Sequence, residues 1–158
     1  MTREKIFKEI ESLLFTEAEF GALFDIQIDY LKETVRLDVL STSRKRIKKT
    51  ILLFEQVLSL YVCKSEDAGG FRLNELNDTD DALLSEISYH PYGFGKINVE
   101  TINAKLKGIK EITSNTNFYF QVNNKDYFFI EANRLVFEGK VFKDLIAPEN
   151  KLKWEDES

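Results

Sequence analysis

From Gly21 onward the apolar residues of this chain recur at every second position, and side chains patterned in that way reach a common core only from strands. Phe24, Ile26, Ile28 and Tyr30 alternate with Asp25, Gln27 and Asp29, and Val35, Leu37 and Val39 alternate with Arg36 and Asp38. Each segment has one wet face, the habit of an antiparallel sheet, and Leu31–Thr34 is short enough to turn between them. The clearest unit lies later. Phe118–Val122 and Tyr127–Ala132 flank a polar Asn-Asn-Lys-Asp loop, which predicts a hairpin. Leu135, Phe137, Val141 and Phe142 predict one more strand, with Gly139 as a bend or bulge.

Residues 50–63 form the longest apolar run. Ile51, Phe54, Val57 and Leu58 fit a helix, but Val57 to Cys63 favours β structure and the Glu55-Gln56 pair interrupts the middle. The run is read as a central strand with a bulge. Residues 64–82 carry loop chemistry around a short strand at Phe71–Leu73, and Leu83–Tyr89 fits either helix or strand. Ile102, Ala104 and Leu106 alternate again, followed by Ile109 and Ile112.

Ahead of this β pattern, residues 3–15 have helical spacing. Ile6, Phe7, Ile10, Leu13 and Leu14 form an apolar stripe opposite Lys5, Lys8, Glu9 and Glu11, and Thr2 is placed to cap the helix. So short a helix must dock its stripe, and a sheet edge that would otherwise aggregate is the natural place. The fold class that follows is α+β: a curled, mostly antiparallel sheet of about seven to nine strands with the amphipathic helix packed on it. With 158 residues, one domain is expected: helix 3–15, β-rich core 22–143 and charged tail 150–158.

Several chemistries are disfavoured by what the chain carries. Its net charge of −5 opposes a general grip on nucleic acid. The basic run Arg44-Lys-Arg-Ile-Lys-Lys49 reads as a solvated turn or a guard on a strand end, with phosphate contact as the less favoured use. One cysteine, Cys63, and one histidine, His90, cannot assemble a typical zinc site; Cys63 is expected as a buried or half-buried inert thiol. No cofactor, metal or catalytic residue is assigned. Early charges and the lack of a long uncharged run point to a cytoplasmic protein without a membrane segment.

Two segments are candidates for binding. Residues 66–81 carry six acids against Arg72, a local charge of −5. Asp78-Thr-Asp80 starts like a calcium loop, but Leu83 stands where glycine is needed and Tyr89 where a bidentate glutamate is needed. Glu75, Asp78, Asp80 and Asp81 are therefore read as a docking surface for a basic partner. His90-Pro-Tyr-Gly-Phe-Gly95 must be irregular, and His90, Tyr92 and Phe94 suit interface anchors. The alternative is a ligand-binding or enzymatic pocket inside the curled sheet, with His90 and nearby tyrosines at its mouth.

Phe54-Glu-Gln-Val57 within the Ile51–Val62 run, Glu86-Ile-Ser-Tyr89, and the pair running from Phe118 through Asp126 to Glu131-Ala132 together resemble a pattern in small bacterial antiparallel-β proteins. These proteins are of the uncharacterised or toxin-immunity type, and the resemblance covers residues 24–142. It implies a protein that neutralises a toxin by binding, with a basic toxin domain as partner, and it transfers no functional residue. The expected function is thus non-catalytic protein binding, of immunity or adaptor type, through the acidic and aromatic loops.

Overall fold

The computed structural model describes residues 2–41, 47–64, 82–94, 97–98 and 113–146. The elements run α1 (Arg3–Glu17), β1 (Ala22–Asp29), β2 (Thr34–Ser41), β3 (Lys48–Cys63), β4 (Ala82–Tyr89), β5 (Ile97–Asn98), β6 (Thr113–Ser114), β7 (Phe118–Val122), β8 (Asp126–Phe137) and β9 (Lys140–Phe142). The main sheet has the order β3-β2-β1-β4-β7-β8-β9, and β3 also pairs with β8. Six strands thereby close into an antiparallel barrel, and β9 adds a seventh to β8. The short pair β5–β6 stands apart.

Length lets β3 bridge the barrel. Its first half pairs with β2 from Lys48 to Phe54, and Leu52 to Cys63 pair with β8. The expected bulge is present: the register shifts between Val57 and Ser59, and Gln56 adopts φ +51°. Val57 N–H then donates to Glu33 O in the β1–β2 turn at 2.9 Å. Inward-facing Phe54, Leu37, Leu52, Phe118, Phe120, Ile130 and Leu135 are fully buried, so side chains fill the barrel.

The helix closes what the strands leave open. Between β1 and β4 only Ala22↔Leu83 and Leu23↔Ala82 pair, and the chain before β1 extends the seam through Phe20 N–H to Leu84 O and Leu84 N–H to Gly21 O. Beyond that, the edge of β4 faces α1. Tyr89 N–H donates to Glu11 Oε1 at 2.7 Å, and the Glu19 carboxylate accepts from the Ile87 backbone. Two carboxylates thus occupy edge donors that would otherwise invite another strand. Thr2 caps α1 by accepting from Lys5 N–H, and Ile10 and Leu14 are buried.

Four expectations change. Cys63 is exposed, because it ends β3 beyond the reach of β2, where β8 alone flanks it among the described strands. In β1 the register shifts between Leu23 and Asp25; Ile26 still packs on the core, while Phe24 is half exposed and Ile28 and Tyr30 face solvent. Gly139 is not a bulge within one strand: Glu138 (φ +55°) and Gly139 (φ +76°) form the tight turn from β8 to β9. Asp126 pairs with Val122, so the β7–β8 loop is residues 123–125, with Asn123 and Asn124 left-handed. Residues 83–89 are strand, and the stretches 65–81, 99–112 and 147–158 lie outside the described residues, including the strands expected at 71–73 and 102–112.

Replacing Glu11 with Ala strands the Tyr89 amide against a buried surface and should cost about 1–3 kcal/mol of stability. Glu11→Gln keeps an acceptor and should recover most of the loss. Urea unfolding of the two variants measures both effects.

Candidate functional site

The bulge between Leu84 and Glu86 sets the parity of β4. Ile87 and Tyr89 point into the barrel, while Glu86 and Ser88 lie on its outside. Cross-strand partners carry that outer face across the barrel in two rows. One row runs Ser88, Tyr119, Phe129, Tyr61; the next runs Glu86, Gln121, Tyr127, Cys63. Aromatic residues therefore occupy the wet side of three adjacent strands.

The chain after β4 folds back over these rows. His90 N–H donates to Asn117 O at 2.7 Å, Gly93 N–H to His90 O at 2.9 Å and Phe94 N–H to Thr116 O at 3.0 Å. Asn115 Nδ2 fixes the turn from outside by donating to Tyr92 O at 3.1 Å. Gly93 has φ +79° and lies so close to the Asn115 carboxamide that a Cβ would overlap it, so both conformation and space call for glycine. The result is a ring cluster. Phe94 lies against His90 with centroids 3.9 Å apart and planes tilted by 42°, and meets Tyr119 at 5.9 Å and Phe129 at 5.6 Å, both edge-on. Tyr119 continues the cluster to Phe129 at 5.2 Å and to a near-parallel Tyr127 at 6.3 Å. Within the cluster Tyr127 is 37% and Phe94 42% accessible, and Tyr92 in the same loop is 63% accessible.

Acids border the rings. Gln121 Nε2 donates to Glu86 Oε2 at 3.1 Å and also meets the Tyr119 hydroxyl. Burial raises the Glu19 carboxyl above the ordinary range; its bond to the Ile87 backbone opposes this, and the charges of Glu86 and Glu11 add to the rise. His90 moves the other way. Burial lowers its pKa against the pull of Glu11 and Glu86, which favours the neutral ring, and Ser88 Oγ lies 2.9 Å from Nε2. His90 is thus on the outer face of the sheet, while neighbouring Tyr89 is buried inside and its hydroxyl is pushed up to about 12, first by burial.

Beneath the cluster, a carboxylate is buried where the strap before β7 crosses the sheet. Glu131 accepts from Ser59 Oγ at 3.1 Å and from Asn115 N–H at 3.3 Å, and is 5% accessible. Tyr61 OH and Ser114 Oγ, 2.6 Å apart, hold the same strap.

The structure unites His90 and Phe94 in one cluster, and Tyr92 is exposed in the same loop with no ring contact to the cluster among the described residues. Glu75, Asp78, Asp80 and Asp81 lie outside the described residues, as do Arg44, Lys45 and Arg46 of the basic run. Sequence reasoning missed Tyr61, Tyr119, Tyr127 and Phe129. Their signal was the alternation itself, which puts Tyr119 and Gln121 opposite the core-facing Phe118, Phe120 and Val122. Among the described residues, no group of three potential ligands is set to hold a metal, and no helix is long and apolar enough to cross a membrane.

Residues 6–142 match the model of a protein family described as YxiG-like protein. No curated protein and no solved structure matches the chain.

Burial raises the Glu131 carboxyl above its ordinary value of 4.5, so the folded state holds this proton more tightly than the unfolded chain. The stability contributed is fully present below the unfolded pKa and is lost as pH rises through the folded one. Glu131→Gln keeps an acceptor for Asn115 N–H and removes the titration. Its stability relative to the parent should therefore grow as pH rises from 4 to neutrality, about in the range where the carboxyl ionises. Urea unfolding across that series reads the difference, and a constant difference would contradict the assignment.

Proposed function

We propose a non-catalytic binding role for this chain, which belongs to the YxiG-like protein family. In this reading it is an immunity-type or adaptor protein of the cytoplasm that covers a functional surface of another protein. The observation that carries the proposal is the outer aromatic face. Phe94, Tyr119, Tyr127 and Phe129 touch one another on the wet side of a sheet whose inner side is already a complete core. Large rings gathered at a rigid surface are the usual anchors of a protein interface, because they bury much area with little conformational freedom to lose.

The rings stand on strands, and the loop that carries Phe94 is tied down by backbone bonds to residues 116 and 117. A partner would meet a preformed surface, and little ordering would oppose association. Electrostatics supports a basic partner. The net charge is −5, the segment 66–81 has the same local charge, and Glu86, Glu11 and Glu19 border the aromatic face. A toxin domain whose cations hold its substrate is the kind of partner such a surface would block, by covering the cations and excluding the substrate.

The test begins with tagged protein in nuclease-treated lysate of its native host. One stoichiometric protein partner is expected. Phe94→Ala combined with Tyr127→Ala should weaken its binding by about 30-fold or more, with the fold intact by circular dichroism. Unchanged affinity in that double variant would overturn the aromatic interface. Asp78→Lys with Asp80→Lys should slow association by about tenfold at low salt and much less at high salt. An unchanged on-rate would remove the acidic segment from the proposal.

A further inference from the structure

The binding role leaves one question that the geometry of the face addresses: which chemical group of the partner it receives. Resting on that role, we infer that the face receives a guanidinium, an arginine side chain laid against the Tyr119 and Tyr127 rings and paired with the Glu86 carboxylate.

Three observations converge. The first is the ring pair. Tyr119 and Tyr127 are inclined by 21° with centroids 6.3 Å apart, so a flat group stacked on the exposed Tyr127 ring lies nearly parallel to both. The second is the position of the acid. Glu86 is exposed and sits in the same cross-strand row as Gln121 and Tyr127. Gln121 Nε2 holds its Oε2 at 3.1 Å, which keeps the carboxylate beside the rings. The third is acidic charge with which no described cation is paired. Among the described residues, the ion pairs join Arg36 to Asp38, Lys48 to Glu17 and Glu138, Lys64 to Asp126, Arg134 to Glu55 and Lys140 to Glu9. None includes Glu86, Glu11 or Glu19, and the charges of the first two push the Glu19 carboxyl further up. The face therefore calls for a cation and offers flat aromatic surfaces to receive it.

Arginine fits this better than lysine. Its guanidinium is planar, stacks on rings, and presents a fork of donors to a carboxylate. A lysine ammonium is compact and more strongly hydrated, so it gains less from the ring pair. A wholly apolar anchor would offer no partner to the Glu86 carboxylate.

The probe is N-acetyl-arginine amide, titrated into the full chain while the Tyr119 and Tyr127 ring resonances are followed by NMR. N-acetyl-lysine amide and N-acetyl-citrulline amide are the controls, citrulline being the uncharged isostere. Saturable millimolar binding of the arginine probe is expected, weaker for lysine and lost for citrulline. Glu86→Gln should weaken it by about fivefold. Glu55→Gln, which removes an acid already paired with Arg134, should leave it unchanged. No ring shifts, or equal shifts from citrulline, would overturn the inference. The two proposals separate in the partner assay. If capture needs Phe94 and Tyr127 but is unaffected by Glu86→Gln, the binding role stands and the guanidinium does not. If capture ignores the aromatic residues as well, the role itself fails.

Discussion

The pairing of β3 with β8 is the constraint on which the structure depends. Ten cross-strand partners, from Leu52↔Phe137 to Cys63↔Tyr127, join the two longest strands. Without that ladder the remaining strands would form an open, twisted sheet with both long strands at risk of pairing elsewhere. With it, Phe54, Leu52, Ile130 and Leu135 are brought inside and fully buried. The same ladder fixes the outside. Alternation over Tyr127–Glu131 means that sending Phe128 and Ile130 inward sends Tyr127, Phe129 and Glu131 outward. The core and the aromatic face are two consequences of one register.

Closure is incomplete on the opposite side, and polar groups manage it. Where β1 ends its contact with β4, strand pairing gives way to side chains from α1 and the segment after it. Carboxylates are suitable acceptors for strand-edge amides, and Glu11 and Glu19 take the N–H groups of Tyr89 and Ile87. The arrangement concentrates negative charge next to the rings carried by β7 and β8. An edge-protecting device therefore sets the electrostatic character of the neighbouring face, and the same residues serve fold and surface together.

Much of the fold was legible because it rests on local pattern. The helical stripe ending at Leu14, the alternation of Val35, Leu37 and Val39, the bulge near Gln56 and the β7–β8 hairpin each declare themselves within a few residues. The barrel did not, because nothing near Leu52 names Phe137 as its partner. The site divides in the same way. Pro91 and Gly93 marked an irregular loop, and His90 and Phe94 in it are part of the ring cluster. Tyr119 and Phe129 were hidden in apolar runs that read as core, and a run buried on one face looks the same as a run buried on both. Glu131 was hidden for the opposite reason. A glutamate in a strand reads as wet, and only the crossing strap of residues 114–117 covers it. Phe24 promised a buried side chain, but it sits in the register shift between Leu23 and Asp25, and Ile28, opposite Val35, lies near the end of β1 that β4 does not pair with.

The narrow seam between β1 and β4 has a dynamic consequence. Two residue pairs and their flanking bonds hold it, against ten pairs along β3 and β8. Sub-global opening follows the path of fewest broken contacts, so amide exchange should be fastest to reach this line. Such an opening breathes between β1 and β4. Tyr61, Tyr119, Tyr127 and Phe129 themselves stand on β3, β7 and β8, where the pairing from Ser59 to Cys63 and from Phe118 to Val122 is continuous. The molecule can thus loosen along one line while its aromatic face remains a rigid body.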